Sequence, residues 1–161
     1  MLLQYFLKKE NKQKIYSEEI YLKIVDQSKD IVNNNDYFFY KNYKSSFEII
    51  SIIIIFYIKS FKEFRIKDYN TINQYIIKNL INDLDNSLRV NGIGDMSIGK
   101  YVKSYVKKFY YRLSKLDKIL DNLSDDNFTK YLDELAIIKK DNINCVCKDL
   151  VKIYKAIQKS L

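Results

Sequence analysis

Asp83, Asp85 and Asp95 flank a cluster of glycines and are the first residues to weigh for acid–base or metal chemistry. Two carboxylates two positions apart on a helix diverge by about 200° around its axis, so Asp83 and Asp85 do not aim at one substrate or ion. The chain has no histidine. That removes the commonest general base, the Ser-His and Cys-His nucleophile pairs, and every His-containing zinc site. Cys145-x-Cys147 lacks the second pair that a structural zinc site needs, and reads as two reduced thiols on a C-terminal helix. Gly92-x-Gly94 invites comparison with a dinucleotide-binding loop, but that fingerprint follows a strand and carries a third glycine at fixed spacing. What remains is a solvated helix end, with pairing to Arg89 and with Asp95 as a helix cap. No catalytic set, metal site or cofactor site is expected.

The basic residues are placed unevenly. Residues 99–120 carry Lys100, Lys103, Lys107, Lys108, Arg112, Lys115 and Lys118 against Asp117, which accounts for six of the chain's eight net positive charges. A face of one sign is either plain solvated surface or a footprint for an anionic partner such as lipid headgroups, RNA or an acidic protein. No RNP-like combination of basic and aromatic residues accompanies it. The 15 tyrosines and 9 phenylalanines come with many Ile, Lys and Asn, and so read as codon bias rather than a stacking code.

The elements that must hold these residues read as helices. Three glycines are all the chain has, at Gly92, Gly94 and Gly99, and there is no proline. The cluster marks one tight turn, so residues 83–112 are expected to form a helical hairpin. Before it, Ile72, Ile76, Leu80, Leu84 and Leu88 repeat every four residues, opened by Asn70 or Thr71 as cap. After it, Ile98, Tyr101, Val102, Tyr105, Val106, Phe109 and Leu113 onward to Leu123 fall on one stripe. Upstream, Ser17-Glu18-Glu19 reads as a helix start. Ser45-Ser46-Phe47-Glu48 introduces the run Ile49–Ile58, half the length of a membrane span and closed by Lys59. With no second strand-like run to pair with, it is expected to be the central core helix. Downstream, Ser124 caps a helix drawn through Phe128, Tyr131, Leu132, Leu135, Ile137 and Ile138, and a last helix carries Val146 to Ile157. The expectation is an all-α, single-domain bundle of about six to seven helices over 1–161, with residues 1–14 a loosely attached segment. Met1–Leu7 carries neither the basic start nor the cleavage site of a signal peptide.

Read as one run, Asp83-Leu-Asp85-Asn-Ser87-Leu88-Arg89-Val-Asn-Gly92-Ile-Gly94-Asp95, followed by Gly99-Lys100 and Lys103, resembles the signature of the ubiquinol–cytochrome c chaperone family. The resemblance continues to Phe109-Tyr110-Tyr111-Arg112, where the family reads F-Y-G-R, and more faintly to Phe47-Glu48 and the isoleucine run. Tyr111 stands where the family has glycine, Ser46 where it has arginine, and Ile53 where it has histidine. The resemblance implies a non-enzymatic assembly factor for the respiratory bc1 complex with newly made cytochrome b as client. It implies no cofactor of the chaperone's own, since haem b belongs to the client, and no small-molecule substrate. The ribosome and an anionic membrane surface are further candidate partners. The place of action would be the bacterial cytoplasm, peripheral to the inner membrane, or the matrix side in a mitochondrion. The alternative is a basic helical module that binds ribosome, RNA or anionic membrane without a cytochrome client. The expected partner-binding set is Asp83, Asp85, Ser87, Arg89, Gly92, Gly94, Asp95, Gly99, Lys100, Lys103, Lys107, Phe109, Tyr110 and Arg112.

Overall fold

The isoleucine run folds as a helix at the centre of the molecule. In the computed structural model, which describes residues 2–33 and 36–161 and the side chains from residue 11 onward within those ranges, α2 spans Tyr43–Glu63. Its N-cap is Asn42, whose side-chain oxygen accepts from the backbone N–H of Lys44 (3.1 Å) and Ser45 (3.2 Å). Ile49, Ile52, Ile53, Ile54 and Ile55 are completely buried, each contributing about 1.5–3 kcal/mol by leaving water. Consecutive buried residues require neighbours on every side. α1 (Leu2–Asn33), α3 (Tyr69–Val90), α4 (Asp95–Asp121) and α6 (Ile143–Ser160) all pack on α2. The Phe56 ring lies 4.8 Å from that of Tyr154 on α6, and 6.1 Å from that of Phe128 on α5 (Asp125–Glu134).

The bundle is all-α: six α-helices and one 3-10 turn, Lys140–Asn142, among the described residues. No helix is long and apolar enough to cross a membrane among those residues.

Several boundaries differ from the sequence expectation, each for a local reason. Ser17 does not start a helix. It is buried within α1, and its hydroxyl donates back to the Lys14 carbonyl at 2.7 Å, a bond that competes for a carbonyl without ending the helix. The loose attachment expected of residues 1–14 falls largely outside the described side chains. Lys59 does not close α2, which runs on for another turn with Lys59, Ser60 and Phe61 all buried. α2 ends in a Schellman motif: Arg65 takes φ 52°, its N–H donates to Lys62 O (3.3 Å), and Ile66 N–H donates to Phe61 O (3.0 Å). α3 then opens from Asp68, itself left-handed at φ 60°, rather than from Asn70 or Thr71. Ser124 caps α5 as expected, its hydroxyl accepting from Asn127 N–H at 3.2 Å.

Ile137 and Ile138 leave that helix. Ala136 at φ 54° terminates it, and the following residues run extended beside residues 37–39. Phe39 N–H donates to Ile137 O (3.0 Å), and Lys139 N–H to Tyr37 O (2.8 Å).

Candidate partner-binding surface

The hairpin turn is built by backbone hydrogen bonds around one glycine. Gly92 stands just past the end of α3 with φ +83°. Its N–H donates to Arg89 O at 3.0 Å, and Ile93 N–H donates to Leu88 O at 3.1 Å. That pattern needs a left-handed residue, and a Cβ there is strained. Gly94, extended at φ −67°, is the N-cap of α4. Asp95 is therefore the first residue of the helix and makes no side-chain cap, contrary to expectation. Its carboxylate instead meets the Arg89 guanidinium, whose Nε also donates to Asp85 Oδ2 at 2.7 Å. Arg89 thus ties the end of α3 to the start of α4, and these two acids hold its pKa above the ordinary value, Asp85 most of all.

Asp83 and Asp85 diverge, as helix geometry requires. Asp83 accepts a 2.8 Å hydrogen bond from the Tyr21 hydroxyl of α1. Burial, with Asp83 beside it, pushes that phenol far above its ordinary value. Two clefts result. Asp83 and Ser87 edge one of about 390 Å³ between α1, α2 and α3, walled by Phe47, Ile50, Leu80 and Leu84. Asp85 edges a second, about 820 Å³, between α3 and α4, where Ile81, Val102 and Val106 form an apolar floor and Gly99, Lys103 and Lys107 the far rim.

The rest of the expected set divides. Lys100, Lys103 and Lys107 are exposed and form no ion pair with a described residue, and Tyr110 is half exposed. Phe109 and Arg112 point inward. Phe109 is completely buried, its ring edge-on to Tyr110. Arg112 reaches Glu48 on α2 with Nε–Oε2 3.0 Å and NH2–Oε1 3.2 Å. Burial works against that cation, but the Glu48 bonds prevail and its pKa stays raised. Both side chains are engaged within the bundle, Phe109 in the core and Arg112 with Glu48.

Sequence reasoning missed two buried charges, one at each end of the isoleucine run. Glu48 is 1 % exposed and also meets Lys108 Nζ at 2.6 Å, while that lysine lies 5.8 Å from the centre of the Phe47 ring. Lys59 is 7 % exposed, 3.0 Å from Asp117 and in contact with Asp121. Burial would lower the Lys59 pKa, yet its hydrogen bonds to Asp121 and Asp117 hold it above the ordinary value. The carboxylate near the start of α2 and the ammonium near its end each meet opposite charge on α4, in the same chain direction. The pairs fix the register of two parallel helices, since sliding α4 would strand both buried charges. The signal was present: a single charge inside a helix otherwise buried all round needs a partner. Cys147 is buried, which pushes its thiol up, and Cys145 is exposed.

With this hairpin and bundle in view, the comparisons are decisive about family. The family model described as Ubiquinol-cytochrome C chaperone matches residues 35–155, and the chain belongs to that family. The crystal structure of the Cbp3 homolog from Brucella abortus superposes with a TM-score of 0.76 at 21 % sequence identity, covering 99 % of this chain and 89 % of that one. That likeness shows a shared fold. No curated protein matches the sequence.

Proposed function

We propose that this chain is a non-catalytic assembly chaperone of the cytochrome bc1 complex, and that its client is newly made cytochrome b. The observation that carries the reading is the family match over residues 35–155, which takes in α2 through α5 and the whole hairpin. The geometry supports it in one respect. An apolar membrane segment that has not yet reached its partners needs a surface that covers part of it. The α1–α2–α3 cleft offers an apolar wall of Phe47, Ile50, Leu80 and Leu84, with polar groups such as Ser46, Asp83, Asn86, Ser87 and Asn91 also lining it. The chaperone works at the cytoplasmic or matrix face of the membrane that holds the bc1 complex, and it carries no cofactor of its own.

The test is affinity capture after crosslinking in cells that make the tagged chain. Cytochrome b should co-purify, and deletion of the gene should lower haem b and bc1 activity in membranes. Unchanged bc1 content in the deletion strain would refute the reading.

A further inference from the structure

We infer that the exposed face of α4, with the hairpin turn at its end, is a docking surface for an anionic phospholipid membrane. The inference deepens the proposed function by naming the surface on which the chaperone rests, but it needs no client and can be tested on the isolated chain.

The first observation is charge without compensation. The acids that meet α4 along its length are engaged: Asp85 and Asp95 by Arg89, Glu48 by Lys108 and Arg112, Asp117 and Asp121 by Lys59, and Glu134 by Lys115. Asp125 and Asp126, beyond its C-terminal end at the start of α5, form no ion pair with a described residue. Lys100, Lys103, Lys107 and Lys118 form no ion pair with any described residue, and all four are exposed. They share one stripe, since spacings of three, four and eleven residues keep side chains on the same helical face.

The second observation is apolar surface continuous with that stripe. Met96, fully exposed, sits one turn before Lys100 on the same face, whereas Val90, 87 % exposed on the other arm of the turn, borders the α1–α2–α3 cleft. Tyr110 and Tyr111 are half exposed further along. From Met96 to Lys118 the stripe extends roughly 33 Å at 1.5 Å per residue. An apolar tip, lysines able to reach headgroups and tyrosines at the boundary suit a helix lying in the membrane interface.

RNA would account for the lysines and, by base stacking, for Tyr110 and Tyr111. It gives Met96 no place to go, because phosphate-tracking surfaces stack bases on aromatic or arginine planes rather than bury aliphatic side chains. Lipid accounts for all of them.

The experiment is flotation of the full chain with vesicles of phosphatidylcholine alone and of an equal mixture of phosphatidylcholine and phosphatidylglycerol. Binding should appear only with the anionic mixture and fall as salt rises. Lys100→Gln, Lys103→Gln and Lys107→Gln together should weaken it roughly a hundredfold, from about 1 kcal/mol per lysine. Met96→Ser should weaken it about tenfold while leaving the salt dependence in place. Lys152→Gln with Lys155→Gln, exposed on α6, should leave it unchanged. Both altered sets are solvent-exposed, and an unchanged helical circular dichroism signal confirms folding. Equal binding to neutral vesicles, an unaffected triple variant, or an α6 variant as weak as the triple one would each overturn the assignment. So would binding of a single-stranded RNA oligomer through these lysines with no vesicle binding. Failed flotation beside successful cytochrome b capture would refute the membrane surface alone and leave the client reading standing.

Discussion

Arg112 on α4 and Glu48 on α2 face each other through two hydrogen bonds, at 3.0 and 3.2 Å, inside the bundle. The pairing is bidentate, which fixes the plane of the guanidinium as well as its distance. Removing one partner leaves the other buried and uncompensated, a loss of about 3–5 kcal/mol in comparable sites. Glu48→Gln should fall at the low end, about 3 kcal/mol, because Lys108 is partly solvated. Replacing both partners, Glu48→Leu with Arg112→Met, should recover most of that stability, since packed apolar side chains often match a buried ion pair. Urea unfolding with an unchanged m-value is the measurement. A Glu48→Gln loss under about 1 kcal/mol would show that the pair does not hold α2 to α4.

Tyr131 stands close to this pair but contributes in another way. Its hydroxyl is buried and has no hydrogen-bond partner among the described residues, and burial pushes its pKa well above the ordinary value. A hydroxyl in that state has been desolvated without return. Tyr131→Phe should therefore leave stability unchanged or raise it by up to about 1 kcal/mol. Phe128→Ala, whose fully buried ring lies 6.2 Å from that of Tyr131, should lose about 3–5 kcal/mol. A marked loss in Tyr131→Phe would mean that the hydroxyl is bonded after all.

The helices were legible because their apolar stripes repeat at helical spacing, and the hairpin because three glycines fall together in a chain without proline. The left-handed endings were not. Arg65, Asp68 and Ala136 adopt positive φ without being glycine; aspartate tolerates that region, but the identities of Arg65 and Ala136 mark no turn. Which of the candidate residues lie on the surface was half legible. Lys100, Lys103 and Lys107 are on the surface where charge patterning put them. Phe109 and Arg112, drawn in by the same motif, belong to the interior. A linear motif mixes residues that shape the hairpin with residues that hold it to α2, and only the partner side chains tell them apart.

Gly92 and Gly99 should respond in opposite directions to alanine. Gly92 has φ +83°, where a side chain is strained whatever the free space. Gly92→Ala should cost about 1–2 kcal/mol. Gly99 lies inside α4, and a Cβ added there would meet nothing within 4 Å. Gly99→Ala should stabilise the chain by about 0.5–1 kcal/mol, because glycine gives up more backbone freedom in a helix than alanine does. Paired thermal unfolding curves would show it, and equal shifts for the two variants would contradict the assigned turn.

The chain should lose stability in alkali, and the sign follows from its raised pKa values. Tyr21, Tyr105 and Tyr131 are each held well above 10.0, burial being the largest cause, and Tyr154 is pushed up to about 12. The unfolded chain gives up these protons near pH 10 while the folded chain keeps them. Stability therefore declines as pH rises from about 10 and goes on declining until the folded-state values are passed. Lys59 acts in the same direction. Its folded pKa lies above 10.5 because the bonds to Asp121 and Asp117 outweigh burial, so its contribution is complete below that value and lost as pH rises through the folded one. Melting followed by circular dichroism at increasing pH should show Tm falling from about pH 10 upward. Tyrosinate absorbance should lag behind free tyrosine and then rise together with loss of helix. Because Tyr131→Phe removes one of these raised groups, its Tm should fall less steeply over the same range. Full tyrosinate absorbance near pH 10 with the helical signal intact would rule this account out.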